Sequence, residues 1–118
     1  MQEEIKMKKI EAIIKPNKLD QLRKALEKVG SPGVMITEIE GYGKQKGVVR
    51  QWRGKEYKVE LLQKIKIEIV VKDKEVDNVV QVIVNTVKTG EIGDGKIFIY
   101  PVENAIRIRT GEKGDTAL

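Results

Sequence analysis

The stretch "VELLQKIKIEIVVK", residues Val59 to Lys72, decides how the chain folds. In it Ile65, Ile67, Ile69 and Val71 alternate with Lys66, Glu68 and Val70. A period of two puts one set on a buried sheet face and the other on an open one, so this is a long strand. Beyond Lys72 the period changes. Val76, Val79, Val80, Ile83 and Val87 recur at helical spacing, with Asp73 expected as the cap and Thr89-Gly90 as the stop.

The same order stands upstream. "KKIEAIIK", from Lys8, is a short β-rich run with Ile10, Ile13 and Ile14, ended by Pro16. A helix is expected from Asn17, a good N-cap, with Asp20 near its positive end. Leu19, Leu22, Leu26 and Val29 form its apolar stripe, and Gly30 followed by "SPG" closes it. "VMITEIEGYG" reads as a strand carrying Val34, Ile36 and Ile39, while "KIFIYPV" and "NAIRIRT" give two more extended segments. The order β-α-β-β-α-β with a short extra C-terminal strand predicts an α+β fold, a ferredoxin-like split βαβ sandwich. About twenty polar, mostly basic residues, "GYGKQKGVVRQWRGKEYKVE", separate the second and third strands. Loops of that length in a compact domain are usually functional or disordered rather than mere connectors.

The 118 residues suit one domain: a polar extension, "MQEEIK" at 1–6, and a single unit over 7–118, with Met7 as an alternative start. Cysteine is absent, which excludes disulfides, thiolate zinc sites and cysteine nucleophiles. Histidine is absent too, removing the usual general base. No apolar run reaches the roughly 20 residues of a membrane span, and the N-terminus has no signal-peptide core, so a cytoplasmic protein is expected. The +5 charge, from 23 basic and 18 acidic residues, suits either nucleic acid or nucleotide phosphates.

"TGEIGDGKI", Thr89 to Ile97, spaces Gly90 and Gly95-Lys96 as a Walker A loop would, but Ile97 replaces the magnesium-ligating hydroxyl. The order of elements is also reversed, since a helix runs into a strand. Glycines still let backbone N–H groups converge on an anion, and Lys96 adds a charge. The same residues equally suit a plain turn with a surface lysine. In "AIRIRT", Arg107 and Arg109 are expected on one strand face, with Ile106 and Ile108 toward the core. Guanidinium pairs suit phosphate, although a charged strand edge would look alike. The long loop opens with "GYGKQKG", flexible enough to wrap an anion, and carries Trp52 and Tyr57 as partner contacts, unless Tyr57 simply begins the third strand. Lys64, at the entry of that strand, is either solvated or the partner of a carboxylate.

Assembled, these residues resemble the PII nitrogen-regulatory signal proteins from Met7 to the C-terminus. "TGEIGDGKIFI" reproduces the family's signature of Thr, three residues, then Gly-Asp-Gly-Lys-Ile-Phe, and "KKIEAIIKPNKLD", "GYGKQKG", "KIKIEIVV" and "IRIRTGE" also match family text. The resemblance implies a homotrimer with nucleotide clefts between neighbours, where ATP and ADP compete and 2-oxoglutarate binds beside Mg-ATP. It implies a non-enzymatic sensor of nitrogen, carbon and energy status. Its T-loop, about residues 43–61, would dock on ammonium transporters or glutamine-synthetase regulatory proteins. A membrane would be reached only through a transporter partner.

Carried over by position, Gly93, Asp94, Gly95 and Lys96 would cradle the phosphates, with Arg107 and Arg109 reaching them from the adjacent subunit. Gly43, Lys44 and Gln45 would lie at the loop base, and Met35 and Val70 beside the adenine. Gln45 would help to hold Mg²⁺. Backbone groups of Gln45, Lys46 and Gly47, with the Lys64 ammonium, would hold 2-oxoglutarate. Tyr57 aligns with the tyrosine that some relatives nucleotidylate. The chain departs from the family where Trp52 replaces a tyrosine, where Lys55 removes a phosphorylatable serine, and where Met35 stands in place of a frequent threonine.

Two other function classes fare worse. An RNA-binding sheet needs two or three stacking aromatics on one face, and one Phe, one Trp and three Tyr are scattered here, so no nucleic-acid partner is expected. An ATP-hydrolysing enzyme needs a group to position water, and neither a histidine nor a carboxylate pair stands near the glycine turn.

Overall fold

A computed structural model describes residues 6–31, 33–43, 50–52, 55–57 and 60–118. Strand β1 spans Met7–Ile14, helix α1 Leu19–Lys28, β2 Met35–Gly43, β3 Arg50–Trp52, β4 Lys55–Tyr57, β5 Glu60–Lys72, helix α2 Val76–Val87 and β6 Gly95–Val102. Four strands form one antiparallel sheet in the order β2-β5-β1-β6, while β3 and β4 pair separately. This is the expected α+β, ferredoxin-like sandwich.

Alternation along the central strands builds the core. Ile10 stands opposite Ile69, Ala12 opposite Ile67 and Ile14 opposite Ile65, and all six are buried. Leu22 and Leu26 of α1 and Val79, Ile83 and Val87 of α2 close over them. Each fully buried aliphatic side chain contributes about 1.5–3 kcal/mol of transfer free energy, so this layer holds the fold. On the opposite face, Lys9 pairs with Glu68 at 3.1 Å, Lys66 lies 3.9 Å from Glu11 and 3.7 Å from Glu68, and Tyr100 donates to Glu11 at 2.8 Å. Such solvent-facing pairs contribute little stability, but they leave this face polar across its middle.

The helix starts differ from expectation. Asn17 lies inside a 3-10 turn, Pro16–Lys18, and makes no capping bond. Asp73 likewise sits in a 3-10 turn, Asp73–Glu75, that starts α2 without a side-chain cap. Its carboxylate accepts from Lys8 at 3.0 Å instead, because the register puts Met7 opposite Lys72. The end of α1 follows expectation: Gly30 takes φ +68°, its N–H donates to Glu27 and the Ser31 N–H donates to Leu26, both at 3.1 Å. That is the Schellman pattern.

The segment "NAIRIRT" does not add to the sheet. The chain leaves β6 at Val102 and folds on itself, with one bridge between Ile106 and Lys113 and an Arg107 N–H donating to the Glu112 carbonyl at 2.9 Å. Ile106 and Ile108 therefore do not face the core: they are 59% and 100% exposed. A self-closing hairpin satisfies its own backbone and has no second layer to pack against.

The ladder between β2 and β5 runs unbroken to Gly43 opposite Glu60. Tyr57 does not begin the long strand, since its backbone pairs with Arg50 in the β3–β4 ribbon. Lys44, Gln45, Lys46 and Gly47 lie outside the described residues.

Replacing Ile83, fully buried between the helices and the sheet, with alanine should lower unfolding free energy by about 3 kcal/mol. Asn78→Ala, on the exposed side of the same helix, should stay within about 0.5 kcal/mol. Urea unfolding of both variants checks the placement of the core.

Candidate functional site

The chain passes from α2 to β6 through a turn with three left-handed glycines, Gly90 at φ +86°, Gly93 at +97° and Gly95 at +112°. Gly95 is demanded twice over. It sits opposite Ile14, and a Cβ there would lie 1.7 Å from the Ile13 carbonyl oxygen. Gly93 is roomier, with the Lys15 Cε 3.6 Å and the Lys64 Nζ 3.7 Å from where a Cβ would stand. The turn thus rests on the end of β1 and on one residue of β5.

Its charges are arranged unevenly. The Lys64 ammonium donates to the Gly93 carbonyl at 2.8 Å. Partial burial lowers the Lys64 pKa, and the nearby Lys15 ammonium lowers it further, while Asp94 opposes both. Asp94 accepts from the Thr89 hydroxyl, from the Thr89 N–H at 2.8 Å and from the Gly90 N–H at 2.9 Å, and it pairs with Lys15 at 3.4 Å. The Thr89 bonds above all hold its carboxyl well below the usual carboxylate range. Lys96 is exposed and has no hydrogen bond or ion pair among the described residues. Lys64 and Lys96 stand in a cleft of about 510 Å³ whose apolar lining includes Ile39, Leu62, Ile92 and Phe98. Cations set into an apolar wall suit an anion with a flat or aliphatic body.

The residues singled out from sequence fall into two groups. Gly93, Asp94, Gly95, Lys96 and Lys64 come together at one end of the open face. Met35, opposite Glu68, and Val70, opposite Lys9, share that face but stand near its other end. Six residues of β5 separate Val70 from Lys64, about 20 Å along the strand. Arg107 and Arg109 follow β6, which ends at Val102 opposite Met7, again at the far end. The Arg107 guanidinium donates to Glu112 at 3.2 Å and to the Leu118 carbonyl at 3.1 Å. Arg109 is exposed, with no such partner among the described residues. Between the groups lie the paired charges of Lys9, Glu11, Lys66 and Glu68.

Two residues escaped the sequence reading. Lys15 reaches the turn because β1 ends beside it, and Thr89 joins because Asp94 folds back onto it. The Thr89 signal was present in the signature; nothing in the pattern around Lys15 marks it. Among the described residues, no helix is long and apolar enough to cross a membrane. Among the described residues, no group of three or more His, Cys, Asp or Glu side chains could hold a metal ion.

Comparison with known proteins finds a family, curated relatives and solved structures that this chain resembles. A family model described as nitrogen regulatory protein P-II matches residues 7–112. The nitrogen regulatory protein P-II of Pasteurella multocida is 55% identical over 112 residues, covering 95% of this chain and all of that protein. Among solved structures, Arabidopsis thaliana PII bound to citrate superposes with a TM-score of 0.79 at 39% identity, covering 97% of this chain and 94% of the other. A B. subtilis GlnK–ATP complex gives 0.78 at 36% identity, covering 95% and 97%.

Gly95→Ala should remove several kcal/mol of stability and detach the start of β6, because both its φ and its contact forbid a side chain. Gly93→Ala, strained in φ alone, should cost about 1–2 kcal/mol. Thermal unfolding with amide hydrogen exchange on β6 separates the two.

Proposed function

The chain belongs to the nitrogen regulatory protein P-II family, a family of regulators and not of enzymes, and we propose that it senses nitrogen, carbon and energy status. In this reading ATP and ADP compete for clefts between neighbouring copies, and 2-oxoglutarate binds beside Mg-ATP. The loop at about residues 43–61 then engages ammonium transporters or glutamine-synthetase regulatory proteins in the cytoplasm, with Tyr57 as the candidate modification site.

One observation carries the reading: Gly93 to Lys96, with the proposed effector residue Lys64 beside them, stand at one end of the open sheet face, and Met35 and Val70 stand toward the other, where the chain runs on past β6 to Arg107 and Arg109. We read each end as half of a nucleotide site. A second copy placed head to tail joins unlike ends, and such heterologous contacts close into rings. A homotrimer is the ring proposed. The apolar surface left on β6 and the hairpin, at Phe98, Ile99, Ile106 and Ile108, supports burial against another copy. The ATP-bound and citrate-bound relatives support a nucleotide site and a carboxylate effector.

The chemistry follows from the charges. Phosphates are met by turn N–H groups, by Lys96 and by the two arginines, whose forks suit phosphate oxygens. Arg107 exchanges Glu112 and Leu118 for the ligand. The Lys64 ammonium spends one of its three N–H donors on the Gly93 carbonyl and has two left for a carboxylate of 2-oxoglutarate, and the gained anion favours its protonated form. Gln45 would hold Mg²⁺, which would supply positive charge to phosphate and effector oxygens. Gly43 and Lys44 would meet the nucleotide, and backbone groups of Lys46 and Gly47 the 2-oxoglutarate. The sensor works by linkage: a ligand moves the loop only by binding its states with different affinity, and ADP lacks the γ-phosphate that makes the difference.

Calorimetric titration of 2-oxoglutarate into the protein with Mg-ATP, with Mg-ADP and with neither tests this directly. Heat in the Mg-ATP cell alone is expected; its absence while ATP itself binds would overturn the effector role of Lys64. The shared cleft has its own test. Lys96→Ala and Arg107→Ala chains should each lose ATP affinity at least tenfold, about 1.4 kcal/mol. Refolded together they should regain some tight sites, because wild-type halves meet, and no recovery in a verified mixed trimer sinks the divided site.

A further inference from the structure

We propose that the Asp94 carboxylate is the positioning group of the glycine turn, holding it in its anion-receiving shape through Thr89, Gly90 and Lys15 without itself touching the ligand. The inference rests on the nucleotide reading of this site and changes the part that Asp94 takes in it.

Both carboxylate oxygens are committed inside the protein. Oδ2 accepts the Thr89 N–H at 2.8 Å and the Gly90 N–H at 2.9 Å. Oδ1 accepts the Thr89 hydroxyl and faces the Lys15 ammonium at 3.4 Å. The Thr89 hydroxyl oxygen accepts the Glu91 N–H at 3.1 Å, so the clasp extends to a third backbone group. Residue 94 is thereby tied to the first half of the turn and to the end of β1. A carboxylate turned toward a polyphosphate would repel it; turned inward, the same charge is useful.

The turn needs such a clasp. Gly90, Gly93 and Gly95 all take positive φ, and a chain with three glycines in seven residues loses much conformational freedom when ordered. Charge-assisted hydrogen bonds from one carboxylate order that segment before any ligand arrives. Asp94 also draws Lys15 to the side of the turn, which leaves Lys64 on the Gly93 carbonyl and Lys96 facing the cleft. Without the carboxylate, ligand binding has to order the turn, and affinity falls.

The test compares wild type with Asp94→Asn, Thr89→Val and Thr89→Ser by calorimetry against ATP, ADP and adenosine, each with Mg²⁺ and with EDTA. Asp94→Asn and Thr89→Val should each weaken ATP and ADP about tenfold, with Mg²⁺ and without it. Adenosine affinity should not change, and Thr89→Ser should restore ATP binding. The double variant should be no worse than either single one, since both break one clasp. Equal loss of adenosine binding overturns the proposal in favour of general support of the fold. A loss confined to the Mg²⁺ samples overturns it in favour of direct metal contact. Unchanged ATP binding in both single variants overturns it while leaving the nucleotide site standing. Wild type that binds no adenine nucleotide overturns the site itself, and the assignment of Asp94 with it.

Discussion

The close approach of Gly95 to the Ile13 carbonyl is the constraint on which the site depends. Pairing of Ile14 with Gly95 fixes where β6 begins, and a residue with a Cβ could not take that place. Once the strand start is fixed, the seven residues before it have little room. The Gly93 carbonyl comes to Lys64, Asp94 comes to Lys15, and Lys96 turns into the cleft. A backbone contact, not a charge, brings the cations together; the charges then settle how the turn closes.

The two sheet faces divide the work. One is apolar from Ile14 and Ile65 to Val71 and carries most of the stability beneath the helices. The other is polar in its middle, and Lys64 and Val70 stand on either side of those paired charges, about 20 Å apart along β5. Under the proposed function, a second copy has to bring those two ends together, and it would cover the apolar surface exposed at Ile106 and Ile108.

Much of this was legible beforehand because its causes are local. Alternation in Ile65 to Val71 and helical spacing in Val76 to Val87 marked strand and helix, and Gly30 closed α1 with the bonds its position predicts. The glycine turn ending in Lys96 was legible as a turn, though its spacing alone left open whether it receives an anion. Local signals misled where a distant partner competed. Asp73 looked like a helix cap, but Lys8, 65 positions away in sequence, took its carboxylate. Arg107 and Arg109 looked like neighbours on a strand, but a hairpin closed by Glu112 and Lys113 claimed that segment first.

The amino-acid sequence by itself determined the order of the main strands and helices and the buried face of the central ones, because these follow from side-chain period within a few residues. Tertiary structure decided which side chains meet. Lys15 reaches Asp94, and Lys64 reaches Gly93, only because antiparallel register aligns the ends of β1, β5 and β6. Register is set by packing of the whole sheet over its core, and no local spacing encodes it.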